Sequence, residues 1–112
     1  MTSVNGSLPP EAAAFLQRPL MARLITVSPE GAPHFTYVWF EYDGRDLLVS
    51  TQMHTEKVRH IAGNPNVCIV LDDPDNIWRH LIINGTATVT RDGAFELLER
   101  MVTRYFASEP ER

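Results

Sequence analysis

Lysine occurs once among these 112 residues, at Lys57, and cysteine once, at Cys68. A lone cysteine excludes an internal disulfide and a thiol-rich metal site. Inside the apolar run "VCIVL" it reads as a small core hydrophobe, a usage that suits a reducing compartment. No apolar run approaches the roughly 20 residues of a membrane span, and the opening "MTSVNGSLPPE" lacks the basic and apolar stretches of a signal peptide. The expected location is cytoplasmic, with no membrane partner. A formal net charge of −4 gives a nucleic-acid surface no general electrostatic support. There is no Gly-rich phosphate loop and no nucleophile beside a recognisable base, so no catalytic residue is assigned. His34, His54, His60 and His80 include no pair at the i, i+4 spacing of a helical zinc site. No metal is expected, and each histidine reads as surface or hydrogen-bonded.

What is present fits one domain of ordinary globular composition, 44% apolar and 21% charged, with residues 1–7 loose. Prolines in the first turn and Glu11 predict a helix over 9–18, stopped by Pro19. Branched apolar residues make 20–28 a strand, ended by "PEGAP", and 34–42 is an aromatic, β-branched strand. The Asp-Gly pair in "DGRD" turns the chain into a third strand, 47–51. "EKVRHIAG" switches to helical period, with Val58, Ile61 and Ala62 on one face and Gly63 at its end. "NPNVCIVLDD" is a buried strand and 77–90 a long one, with Gly85 suggesting a bulge or barrel corner. Asp92 caps a last helix, whose stripe is Phe95, Leu98, Met101, Val102 and Tyr105. Sequential strands joined by tight turns imply antiparallel pairing. A small closed barrel with helices outside removes exposed edges.

Lys57 admits two readings. It can supply a solvated helix face, or it can grip an anion, because Ser50 and Thr51 end one element and Lys57 and Arg59 open the next. An ammonium, hydroxyl donors and helix N–H groups together form a compact anion site. The other nine basic residues are arginines, so the one lysine stands against the drift of the coding bias.

The segments "SPEGAPH", "VWFEYDG", "TEKVRHIAGNP" and "NGTA", in this order within residues 20–90, resemble the split-barrel flavin-binding family. That family holds the pyridoxamine 5'-phosphate oxidase-like proteins and the deazaflavin (F420)-dependent oxidoreductases. The resemblance implies a mostly β fold with flanking helices, a six-stranded antiparallel split β-barrel, paired as a homodimer with two cofactor sites at the interface. Relatives carry a further strand after the last helix, and "YFASEPER" supplies none. The resemblance places a phosphate-gripping lysine at Lys57, with Ser50 and Thr51 as hydroxyl partners and Arg59 as a second cation. It places Val38 and Trp39 beside the ring. Trp78 and Arg79 would reach the other subunit's cofactor, and Arg79 and Arg23 would suit the carboxylates of an F420 tail.

The implied function is an oxidoreductase that binds F420, or alternatively FMN, and passes a hydride to a small organic substrate. Hydride chemistry then belongs to the cofactor, and the protein supplies position and electrostatics. The alternative is a non-catalytic flavin-, F420- or haem-binding protein on the same barrel.

Overall fold

In Ala22–Val27 (β2) every second residue is buried, as alternation in a strand with one covered face requires. The computed structural model describes residues 2–5, 8–52 and 55–107. Among these the order is β1 (Thr2–Asn5), α1 (Pro10–Phe15), β2, β3 (Pro33–Val38), β4 (Glu41–Tyr42), β5 (Asp46–Val49), α2 (Glu56–Gly63), β6 (Asn66–Asp73), β7 (Asn76–Val89) and α3 (Ala94–Ala107). The strands form one antiparallel sheet in the order β3-β2-β6-β7-β1-β5-β4.

The two ends of that order are neighbours in the chain. The expected single strand 34–42 breaks at Trp39–Phe40; its first part pairs with β2 and its last two residues with β5. That break rolls the sheet into a split barrel. The side chains turned inward are Leu24, Phe40, Leu47, Val49, Ile69 and Leu71, each at most 2% exposed. Burying one such side chain contributes about 1.5–3 kcal/mol.

Several expectations change. Residues 2–5, read as loose, form β1 between β7 and β5, where they pair with both. With β1 in the sheet, β5 and β7 each gain a backbone partner. Gly85 sits in regular register opposite Val67, and the irregularity falls at Asp72/Asp73 beside the turn. Cys68 is only half-buried, on the outer face of the sheet opposite Asn84. Desolvation raises its thiol pKa, so it stays a weakly acidic, apolar group. On α2, His60 and Ile61 are buried while Ala62 is exposed. Helix α3 starts at Ala94, after Gly93 at φ +72°.

Candidate functional site

At the split, the end of β3, the residues after β5, the start of α2 and the first turns of α3 surround a cleft of about 700 Å³. Its polar lining comes from one segment of chain, Ser50, Thr51, Gln52, Thr55 and Lys57. Its apolar lining comes from Met21, Val38, Trp39 and the α3 residues Phe95, Leu98 and Met101, with Tyr37 beside them.

Three contacts fix α3 across this break. The Tyr105 hydroxyl accepts the Phe40 N–H at 2.9 Å and donates to the Leu20 carbonyl at 2.8 Å. Burial raises the Tyr105 pKa, which keeps the hydroxyl protonated for that donation. Trp39 stacks on the Tyr105 ring at 4.8 Å. Arg100 holds Glu41 through Nε and Nη2, and that hydrogen bond to Glu41 raises the arginine pKa. Arg104 adds a fork onto the Leu16, Gln17 and Arg18 carbonyls that follow α1.

Helix α2 is held from below. His60 Nδ1 lies 3.0 Å from Thr26 Oγ1 of β2, in the buried interior. The Thr55 hydroxyl donates to the Gln52 carbonyl and does not cap the helix. Among the described residues, therefore, no side chain caps the first N–H groups of α2 at the end that borders the cleft. Glu56, in the same turn, is drawn to Arg59 at 2.6 Å and to His60 Nε2 at 3.4 Å. Among the described residues that line the cleft, Lys57 is the one charged side chain.

Of the residues singled out from sequence, Lys57, Ser50, Thr51, Val38 and Trp39 meet at this cleft. Val38 is 6% exposed, with its side chain in the core. Among the described residues strand β3 pairs only with β2, so its other edge offers backbone donors and acceptors. Arg59 is not brought there: it lines a separate groove with His34 and His60. Residues two apart on a helix point in nearly opposite directions. Trp78 is 85% exposed near the β6–β7 turn. Arg79 lies over the Phe15 ring at 5.2 Å, in a groove beside α1 that His80 also lines. Arg23 is bonded to Asp72 at 2.7 Å. His54 lies outside the described residues.

The sequence reading missed Met21, Gln52, Thr55 and the α3 wall. Leu97, Met101 and Tyr105 face the core, while Phe95, Leu98, Val102 and Phe106 are exposed. The single stripe read from sequence merged these two rows. An apolar surface wider than one core contact needs was the available signal.

The sequence profile of pyridoxamine 5'-phosphate oxidase matches residues 8–112. The chain belongs to that family. Similar structures include an F420 reductase, 34% identical, at TM-score 0.75 over 93% of this chain and 83% of that one. A Listeria innocua protein provisionally named a pyridoxamine 5'-phosphate oxidase is 26% identical, at TM-score 0.70 over 90% and 82%. A conserved hypothetical protein from Mycobacterium tuberculosis shares the fold at 24% identity, with TM-score 0.75 over 96% and 69%. Among curated proteins none matches. The family and the neighbours support a flavin- or deazaflavin-binding, oxidoreductase-type protein. No described helix is long and apolar enough to cross a membrane.

Proposed function

We propose that the protein is a cytoplasmic homodimeric oxidoreductase that binds F420, or alternatively FMN, in the cleft at the split of the barrel. One observation carries the reading: Lys57, Ser50 and Thr51 meet at one cleft whose other walls are aromatic and aliphatic. The donor set fits a cofactor with an anionic tail and a flat ring. Lys57 would hold the phosphate with Ser50, Thr51 and the uncapped N–H groups of α2. Trp39 and the free edge of β3 would hold the ring, with Val38 contributing backbone. When bound, such a cofactor supplies hydride transfer to a small organic acceptor. The chain's own part is to position the two and to exclude water between the strand edge and α3.

The dimer reading is supported by the outer face of the sheet. Register aligns Tyr37, Arg23, Val70 and Ile82 in one row, and Phe35, Ile25, Cys68 and Asn84 in the next. Phe35, Tyr37 and Ile82 are more than half exposed there, an apolar patch of the kind that marks an interface. Tyr37 belongs to both this face and the cleft, so a second copy on the face would border the cofactor. Trp78 and Arg79 would then reach the cofactor across that interface.

The test is titration of purified protein with F420 and with FMN, followed by cofactor fluorescence, beside sedimentation of the same sample. Saturable binding of one cofactor per chain in a dimer supports the reading. Binding without turnover supports a non-catalytic carrier, and binding of neither cofactor refutes both.

A further inference from the structure

We propose that Arg59, which lies outside the cleft, is a positioning residue for the anion grip. It holds the Glu56 carboxylate away from the cleft, so that Lys57 meets an anionic ligand without a competitor. The inference rests on the reading of Lys57 as that grip and goes on to what keeps it open to a ligand.

Three consecutive residues at the start of α2 part company. Thr55 and Lys57 line the cleft, whereas Glu56 between them lines a separate groove. Successive helical side chains project about 100° apart, so a change of rotamer is enough to bring a released Glu56 carboxylate beside Lys57. Its place in the first turn favours that move, because the positive helix end attracts a carboxylate. There it would meet the same ammonium and N–H groups that a phosphate uses.

Two contacts draw the carboxylate the other way. Arg59 Nη2 donates to Glu56 Oε2 at 2.6 Å, and His60 Nε2 lies 3.4 Å from the same oxygen. His60 is itself anchored, buried with Nδ1 3.0 Å from Thr26 Oγ1. A carboxylate oxygen only accepts, so the arrangement that satisfies both ring nitrogens puts the proton on Nε2 and lets the Thr26 hydroxyl donate to Nδ1. Glu30 lines the same groove. Without the arginine, Glu56 would face a second carboxylate there, and like charges repel. Arg59 and Glu56 are both mostly exposed, so the effect on a neighbouring equilibrium is a small factor.

Lys57 is the one lysine in the chain, so isotope-labelled reductive methylation marks its amine and the N-terminal amine alone. Its NMR signal is followed as inorganic phosphate is added, at fixed pH and ionic strength, in wild type, Arg59→Gln, Glu56→Gln and the double variant. Arg59→Gln is expected to weaken phosphate binding roughly two- to fivefold. Glu56→Gln alone is expected to change it little, and the double variant to return to the wild-type value. The double variant also lacks the ion pair, so its recovery separates this role from plain support of the helix. Wild-type affinity in Arg59→Gln overturns the inference, as does a loss that persists in the double variant. So does an equal gain from Glu56→Gln with and without Arg59, the additive behaviour of independent charges. A Lys57 signal that phosphate does not move in wild type also overturns it. Titration of unlabelled wild type with F420 and FMN is read separately: phosphate binding without either cofactor sinks the cofactor reading, and the Arg59 cycle still decides this one.

Discussion

Lys57 and Arg59 carry the same charge two positions apart and meet opposite surroundings. Arg59 is neutralised by Glu56, while Lys57 faces the cleft among hydroxyl side chains. Tyr105 shows the same dependence on place, because its hydroxyl satisfies the amide left over where strand 34–42 breaks. Tyr105→Phe should destabilise the protein by about 1–3 kcal/mol, the cost of leaving a buried N–H unpaired. Chemical denaturation reads this directly, and an unchanged midpoint would show that the Phe40 amide finds another partner. The role of Tyr105 was not legible in the sequence, since nothing local couples it to Phe40, 65 positions away. That Lys57 shares a cleft with Ser50 and Thr51 was legible because the three are close in sequence.

At the scale of elements, turns and helices governed by local chemistry followed the sequence. Asp43 accepts the Arg45 and Asp46 N–H groups, and Gly44 adopts φ +96°, as the Asp-Gly turn predicts. Helix α2 spans the predicted residues because its period and its Gly63 end are both local signals. β1 was missed: four polar-leaning residues carry little periodicity, and only two flanking strands give them a place. The β6–β7 turn offers a pH test. Asp73 accepts the Asp75 N–H and pairs with Arg18 and Arg79, and these contacts, the backbone bond first, lower its pKa. Its unfolded-state value is about 3.9, so its stabilisation is complete above that value. It is lost as pH falls through the lower folded value. Melting temperatures taken between about pH 6 and about pH 2.5 should show a steep acid decline in wild type and a shallower one in Asp73→Asn. Parallel declines would remove Asp73 from the account.

For the whole molecule, the antiparallel barrel was readable because hairpin order and alternation leave few closures. The position of the split was not, because it depends on which edge each half of 34–42 joins. That split makes the cleft, and α3 spans it through Trp39, Tyr105, Arg100 and Glu41. The central claim is that this cleft grips an anionic cofactor tail through Lys57. The most direct test compares wild type and Lys57→Ala by fluorescence titration with F420 and FMN. Loss of a charge-assisted contact should cost about 1.5–3 kcal/mol, a roughly 10- to 150-fold weaker dissociation constant, with the melting curve of the free protein unchanged. Equal affinity in the two proteins would contradict the account.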